Sequence, residues 1–186
     1  MGRWEPDAQG RLERAALELY LERGFDHTTV ADIADRAGLT ERTFFRHFTD
    51  KREVLFRGDE LTRSIAAALD EVPESVPPLD AAAAALESTS EFFVDRRPHA
   101  AKRQAVINAN PSLQERELIK LASMATAIGN ALRRRGVNEP AASLAAEAGI
   151  AIFKVAFECW LDDPAARDLA THIRETLAEL RSVAGQ

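Results

Sequence analysis

Hydrophobic positions recur with the period of an α-helix along almost the whole chain. Between about Gln9 and Arg23, apolar residues return every three or four positions, and Gly24 ends the pattern. Comparable patterns, separated by glycine or proline, continue as far as Val183. The strict alternation of apolar and polar residues that is typical of β-strands is not found. The sequence therefore predicts an all-α protein of about nine helices.

The segment from Thr28 to Lys51 predicts two short helices that meet at a glycine. The first covers Val30 to about Ala37. Thr29 can cap its N-terminus, and Asp32, three residues later, completes a capping-box arrangement. Gly38 can adopt the positive φ that a tight corner requires.

Thr40 can cap a second helix, from Glu41 to about Phe48, directly after this corner. A helix, a tight turn containing glycine and a second helix together form the helix-turn-helix motif. The string Thr-Val-x-x-Ile-Ala-x-x-Ala-Gly-Leu-Thr-x-x-Thr-Phe-Phe-x-x-Phe-x-x-Lys resembles the signature of TetR-family transcriptional regulators. With the preceding helix, the resemblance covers roughly the first third of the chain, and beyond about Leu61 it concerns the architecture alone. It implies an N-terminal three-helix helix-turn-helix domain followed by a C-terminal helical bundle.

The domain boundary is expected just after the helix-turn-helix motif. A longer helix is predicted from Lys51 to about Glu71, and the prolines between Pro73 and Pro78 prevent it from continuing. We interpret residues 1–52 as a helix-turn-helix DNA-binding domain and residues 53–186 as a ligand-binding and dimerisation domain. The later helices are predicted at about 80–96, 99–108, 111–135, 141–161 and 164–183.

The helix from Ala141 to Leu161 is apolar around most of its circumference. Its polar residues fall within about 60° of one another at roughly 100° per residue. Such a helix must be covered on more than one side. A homodimer through the last two helices, Ala141–Leu161 and Pro164–Val183, provides this cover as a four-helix bundle. The alternative is a helix buried inside one subunit. The polar residues are Ser143, Glu147, Lys154 and Glu158.

The charge distribution favours a local nucleic-acid interface. The net charge of the chain is −6, which does not by itself suggest a DNA-binding protein. Between Arg36 and Arg52, however, five basic residues accompany two acidic ones. Phosphate binding requires such a local excess of positive charge and does not depend on the charge of the whole chain.

DNA contact is expected at two places in the motif. At the start of the first short helix, a threonine hydroxyl and backbone N–H groups can bind phosphate, although Thr29 is equally explained as a helix cap. The first turn of the second helix enters the major groove, where Arg42 can bind guanine and Phe45 can contact a thymine methyl. Family members often have tyrosine in place of Phe45, so a phenolic bond to phosphate is absent. The predicted DNA-binding residues are Thr28, Thr29, Glu41, Arg42, Thr43, Phe45, Arg46, His47 and Lys51, of which Arg42, Thr43, Phe45, Arg46 and Lys51 match DNA-contacting positions of the family.

The resemblance implies a small-molecule pocket in the C-terminal helices, whose occupancy changes the spacing of two recognition helices in the dimer. Few charges fall on the candidate faces, so a small apolar or weakly polar effector is expected. The candidate ligand-binding residues are Phe92, Phe93, Asn108, Met124, Ile128, Phe153 and Phe157, with Thr126 and Asn130 as further polar groups. The same residues can instead simply fill the core. Control by a protein partner, activation instead of repression, and a helical-bundle enzyme are the alternatives.

No catalytic or metal-binding pattern is visible in the sequence, and no cofactor is expected. The four histidines are scattered, and no glycine-rich loop follows a strand. Cys159 is the single cysteine, which excludes an intramolecular disulfide and fits a reducing compartment. No apolar run follows Met1, and charged residues interrupt the longest apolar stretch. The sequence predicts a soluble, cytoplasmic protein that is not an enzyme.

Overall fold

The computed structural model describes residues 7–56 and 59–185, and these residues contain helices and no strand. The predicted all-α class is confirmed. Two 3₁₀ turns accompany the α-helices, at Glu53–Leu55 and at Thr89–Phe93. The helices are α1 (Ala8–Arg23), α2 (Val30–Arg36), α3 (Glu41–His47), α4 (Glu60–Glu71), α5 (Pro78–Ser88), α6 (Arg97–Asn108), α7 (Pro111–Arg134), α8 (Ala141–Asp162) and α9 (Leu169–Ala184).

The described residues form two compact units. The first contains those of Met1–Gly58 together with Ala101–Leu118, and the second contains those of Asp59–Ala100 and Ile119–Gln186. Residues 1–6, which belong to the predicted DNA-binding domain, lie outside the described part of the chain.

The core of the first unit holds α1, α2 and α3 together. Leu12 and Leu19 of α1, Ile33 of α2 and Phe44 of α3 are fully buried in one cluster. The C-terminal part of α6 adds Ile107 to the same cluster. Helices α2 and α3 have seven residues each, and helices of that length are marginally stable in isolation. They therefore depend on the burial of these side chains for their stability.

The core of the second unit is built around α5. Alanines of this helix, including Ala82 and Ala85, are fully buried against α8 and α9. Gly149 of α8 faces them, since a Cβ at this position would lie 3.4 Å from the Cβ of Ala82. The small side chains therefore allow α5 and α8 to approach closely, and this dense packing covers one side of α8.

The structure corrects the predicted helix from Lys51 to Glu71. A 3₁₀ turn, Glu53–Leu55, is followed by Phe56, whose backbone is not helical. Helix α4 begins only at Glu60, and residues 57–58 lie outside the described part of the chain. Val54, Leu55 and Phe56 are all buried in the first unit. These residues were expected to form the start of a longer helix, and they form a short buried segment instead.

The last helix was also predicted with the wrong start. Helix α9 begins at Leu169 and not at Pro164, because Asp168 is its N-cap and accepts a hydrogen bond from the backbone N–H of Thr171 at 2.7 Å. The proposed dimer segment at 164–183 is therefore corrected to Leu169–Ala184. Asp163 lies in the connection between α8 and α9 and accepts hydrogen bonds from residues of that connection and of α9.

The Asp163 carboxylate is a buried acceptor of three hydrogen bonds. It accepts from the backbone N–H of Ala165 at 2.8 Å, from Arg167 Nε at 2.8 Å and from His172 Nε2 at 3.0 Å. The backbone N–H of Ala165 and the Arg167 guanidinium, in that order, hold the pKa of Asp163 well below its usual range. The ionised carboxylate therefore stabilises the folded chain at neutral pH.

Acid should remove this stabilisation. Because the pKa of Asp163 is lower in the folded state, its contribution is complete above the unfolded value of about 3.9 and is lost as pH falls toward the folded value. Asp163→Asn should therefore show a smaller drop in Tm than the parent chain between about pH 5 and pH 3. The exposed neighbour Asp162 supplies a matched control, Asp162→Asn. Equal pH slopes for the Asp163→Asn and parent chains would argue against this role.

Candidate nucleic-acid interface

The N-terminus of α2 carries the predicted capping box. Thr29 Oγ1 accepts from the backbone N–H of Asp32 at 3.1 Å, and the Asp32 carboxylate accepts from the backbone N–H of Thr29 at 2.9 Å. The Thr29 hydroxyl also donates to the carboxylate at 2.6 Å. Mainly through this last bond, the pKa of Asp32 is lowered. The capping box is confirmed, and it engages the hydroxyl of Thr29.

The turn between α2 and α3 is fixed by a contact that the sequence did not reveal. Gly38 has φ +65°, as expected for the corner. Arg11 of α1 donates from Nη2 to the carbonyl of Ala37, at the C-terminal end of α2. A cation at this end of a helix is favourable, because the last carbonyls there lack partners within the helix. The pairing spans 26 positions and leaves no local sequence signal.

Helix α3 has one buried face and one exposed face. Thr40 caps it, accepting from the backbone N–H of Thr43 at 3.2 Å. Phe44 and Phe48 are buried, whereas Phe45 is 57% exposed. The structure brings five of the predicted DNA-binding residues together as exposed side chains of α3. We call this set the α3 surface: Glu41, Arg42, Phe45, Arg46 and His47.

The basic residues near this motif differ in whether their charge is already paired. Arg36 donates to Glu22 at 2.8 and 2.9 Å, and Arg52 pairs with Asp50 at 2.8 Å. Among the residues that the structure describes, Arg42 and Arg46 have neither an ion pair nor a hydrogen bond from their guanidinium groups. The unpaired positive charge of the motif is therefore concentrated on α3.

Thr28 and Lys51, unlike the residues of the α3 surface, bond to backbone carbonyls of the protein. Thr28 is fully buried, and its hydroxyl donates to the carbonyl of Gly24 at 2.9 Å. The amine of Lys51 donates to the carbonyls of Phe25 and Thr28 at 2.8 and 2.9 Å. Both side chains thus bond to the connection between α1 and α2, and their contact with DNA stays a prediction.

Four of the candidate ligand-binding residues lie together in an aromatic group of the second unit. Phe93 contacts Phe157 with ring centroids 5.5 Å apart, and Phe153 stacks on Phe157 at 5.9 Å. Phe92 lies against Phe93 at 5.5 Å. Trp160, which was not among the predicted residues, completes the group at 5.4 Å from Phe157. Met124 and Ile128 are buried in the same apolar core.

The polar candidates do not share this environment. Asn108 is exposed in the first unit, where it accepts a hydrogen bond from Gln104 Nε2 at 3.1 Å. Thr126 and Asn130 are exposed on α7, and the Thr126 hydroxyl donates to the carbonyl of Ala122 at 3.0 Å. The aromatic group therefore lacks these polar partners, and the cation next to it is Arg96, whose guanidinium carbon lies 4.7 Å from the centroid of the Phe92 ring.

Comparison with known proteins identifies the family. Residues 13–57 match the family described as bacterial regulatory proteins, tetR family, and residues 76–185 match the MftR C-terminal domain. The chain belongs to the TetR family. This TetR-family chain is 28% identical over 192 aligned residues to a protein of Mycobacterium tuberculosis that is named as the mycofactocin biosynthesis transcriptional regulator MftR. The alignment covers 100% of this chain and 93% of that protein.

A second relative matches less than half of this TetR-family chain. The transcriptional regulator TcmR of Streptomyces glaucescens is 40% identical over 79 residues, which is 42% of this chain and 35% of TcmR. The chain thus spans about a third of the length of this relative.

Solved structures agree with the TetR fold. A TetR-family transcriptional regulator from Syntrophomonas wolfei superimposes with a TM-score of 0.67 at 17% identity, covering 96% of this chain and 95% of that one. The SmeT–triclosan complex gives 0.62 at 21% identity, covering 92% and 90%. The match to the tetR family model and the similarity to MftR show that the protein is a DNA-binding transcriptional regulator of the TetR family. None of its described helices combines the length and apolarity needed to cross a membrane.

Proposed function

We propose that the chain acts as a homodimeric repressor that binds a palindromic operator and is released by a small apolar or weakly polar molecule. The observation that carries the proposal is the α3 surface, where Arg42 and Arg46 are exposed and unpaired among the described residues. Free guanidinium groups on an exposed, capped helix suit the recognition of base edges and phosphates in a major groove.

Within this proposal, residues 1–52 form the DNA-binding domain and residues 53–186 the ligand-binding and dimerisation domain. We propose that Glu41, Arg42 and Thr43, in the first turn of α3, face the bases, and that Arg46 and His47, one turn further along, contact the same groove. Phe45 has an exposed apolar ring that can pack against a thymine methyl or against the sugar-phosphate backbone. Thr29, exposed at the N-terminus of α2, is a further proposed contact, whereas Thr28 and Lys51, also predicted as contacts, bond to the protein's own carbonyls.

An exposed apolar stripe on α8 supports the dimer. Leu144 is 66% exposed and Val155 is 48% exposed, and Ala151 and Cys159 lie exposed on the same side of the helix. The opposite side of α8 is already covered by α5 and α9. We infer that a second copy covers the stripe through α8 and α9, which gives two recognition helices for the two halves of a palindrome.

The aromatic group supports an apolar effector. Its rings belong to the 3₁₀ turn at Thr89–Phe93 and to α8, so a molecule that inserted between them would move α8, a proposed dimer helix. The SmeT structure is named as a complex with triclosan, and a Bacillus subtilis FadR structure (TM-score 0.60, 17% identity) is named as a complex with stearoyl-CoA. An effector shifts the population only if it binds the released dimer geometry more tightly.

The central experiment is selection of bound DNA from a random duplex pool with the purified chain. An inverted repeat with half-sites about one helical turn apart is expected. Recovered sequences without an inverted repeat would contradict the palindromic operator. Transcription in vitro from a promoter overlapping the recovered site should fall when the protein is added, and a rise would favour activation.

Release can then be tested on the recovered operator. Triclosan and stearoyl-CoA serve as apolar probes, and coenzyme A without an acyl chain is the matched control. Release by either apolar probe, without release by coenzyme A, is the expected result. If neither probe releases the protein while a protein fraction does, control by a protein partner is favoured.

Arg42→Ala should reduce operator affinity more than affinity for random DNA. Loss of a bidentate contact to guanine costs about 1–3 kcal/mol of discrimination, whereas the purely electrostatic loss is shared by both DNAs. Fluorescence anisotropy with operator and scrambled duplexes measures the ratio. The control is Arg36→Ala, since Arg36 is already paired with Glu22. Equal losses on both duplexes for Arg42→Ala would contradict its base-reading role.

A further inference from the structure

Lys51 is bonded at both its amine and its carbonyl to the end of α1 and the connection after it. The amine donates to the carbonyls of Phe25 and Thr28 at 2.8 and 2.9 Å and lies 4.3 Å from the centroid of the Phe25 ring. The carbonyl of Lys51 accepts a hydrogen bond from the Tyr20 hydroxyl at 2.6 Å. These contacts span 23 to 31 positions and enclose the whole helix-turn-helix motif.

The acceptors of the Lys51 amine lie just beyond the C-terminal end of α1. The Phe25 carbonyl also accepts a hydrogen bond from the backbone N–H of Thr28 at 3.3 Å, and a cation near this negative end of the helix dipole is favourable. The aromatic face of Phe25 adds a cation–π contact. Thr28 directly precedes Thr29, the N-cap of α2, so the amine also fixes the point at which α2 begins.

Tyr20 is suited to a permanent donor role. Its side chain is 3% exposed and its ring packs against Phe25 with centroids 5.2 Å apart. Burial, and to a lesser extent the charge of Asp50, raise the pKa of Tyr20 above its ordinary value, so the hydroxyl keeps its proton. A buried neutral hydroxyl with one acceptor is a fixed anchor for the chain that follows α3.

We propose that Tyr20 and Lys51 are positioning residues that fix recognition helix α3 against α1, and that the Lys51 charge is held by the protein's own carbonyls and not by DNA phosphate. The inference rests on the proposed DNA-reading role of α3 and revises the predicted role of Lys51. Arg46 provides the contrast, because its charge has no partner within the described residues.

The salt dependence of operator binding separates the two roles. The logarithm of the binding constant falls linearly with the logarithm of the salt concentration, and a residue that binds one phosphate contributes about 0.9 to the magnitude of this slope. By 'slope' we mean that magnitude, and Arg46→Met should lower it by about 0.9. Lys51→Met keeps most of the apolar side chain and should leave the slope at the parent value. Each variant is measured at a temperature where circular dichroism shows it folded.

The specificity ratio supplies a readout that a simple loss of stability would not change. Lys51→Met and Tyr20→Phe should both reduce the ratio of operator to random-DNA affinity by about tenfold, because α3 is then less well placed against the bases. Lys51→Arg, which can still reach carbonyl acceptors, should recover part of it. The proposal is overturned if Lys51→Met lowers the slope by about 0.9 while Tyr20→Phe behaves like the parent chain.

A measurement without DNA tests the same contacts. The chain contains four lysines, so side-chain ammonium signals are easily assigned by nuclear magnetic resonance. The Lys51 ammonium should exchange its protons slowly at low temperature, because two carbonyls hold it. The exposed Lys102 and Lys154 are the internal controls. Exchange of Lys51 as fast as theirs would overturn the proposal.

The outcomes also separate this inference from the proposed function. If no operator is recovered, or if Arg46→Met leaves binding unchanged, the DNA-reading role of α3 fails. The Lys51 ammonium measurement in the free protein still reports on the Tyr20 and Lys51 contacts in that case.

Discussion

Replacing Phe44 by alanine is expected to destabilise the first unit by about 3–5 kcal/mol and to abolish operator binding. The Phe44 ring is fully buried, with centroids 5.4 Å from Phe45 and 5.5 Å from Phe48. Truncation leaves a cavity that the surrounding helices cannot fill without moving α3. Hydrogen exchange of peptides from α1 to α3, followed by mass spectrometry, measures the loss locally, which matters because the chain has two units.

The adjacent phenylalanine supplies the matched control. Phe45 is 57% exposed, so Phe45→Ala should change the stability of this unit by less than about 0.5 kcal/mol. Because the ring belongs to the α3 surface, the same variant should still weaken operator binding. Similar destabilisation by both substitutions would contradict the assignment of a buried and an exposed face to α3.

Ala151→Arg is expected to convert the dimer into monomers and to lower operator affinity by more than about 100-fold. Ala151 is exposed on α8, in the apolar stripe with Leu144 and Val155. In a two-fold interface each copy contributes its own arginine, so two long cationic side chains enter the apolar stripe, where they clash and are desolvated. Sedimentation velocity measures the mass, and anisotropy with the full palindrome measures the affinity.

A second alanine-to-arginine substitution controls for the added charge. Ala122 is exposed on α7, outside the proposed interface, and Ala122→Arg should leave both the mass and the operator affinity unchanged. A variant Ala151→Arg that stays dimeric at micromolar concentration would place the interface elsewhere. Monomers that bind the palindrome as tightly as the parent chain would instead contradict the need for a dimer.

The elements of the helix-turn-helix motif could be predicted because their signals are local. Thr29 and Asp32 are three residues apart and form the capping box within one helical turn. Gly38 has the positive φ expected of the corner, and Thr40 caps α3 through Thr43. Each of these interactions depends on a spacing that the backbone geometry of a single turn determines, so each is visible in the residue order.

The electrostatic roles of the basic residues could not be predicted in the same way. Arg36 and Arg42 look alike in sequence, yet Arg36 bonds to Glu22, which is 14 positions away, and Arg42 has no partner among the described residues. Lys51 bonds to carbonyls 23 and 26 positions away. Which acceptor a long side chain reaches depends on where α1 passes, and residue spacing carries no record of that path.

Helix α8 shows which of its features follow from the sequence and which depend on the tertiary structure. The sequence by itself determined an amphipathic helix with a narrow polar stripe, because helical periodicity follows from backbone geometry alone. Only the tertiary structure decided which apolar positions α5 and α9 cover and which stay open. Ala142 and Ala146 are buried in the core of the second unit, whereas Leu144 and Val155 are exposed. The reason is physical: burial depends on the packing of neighbouring helices, and those neighbours come from distant parts of the chain.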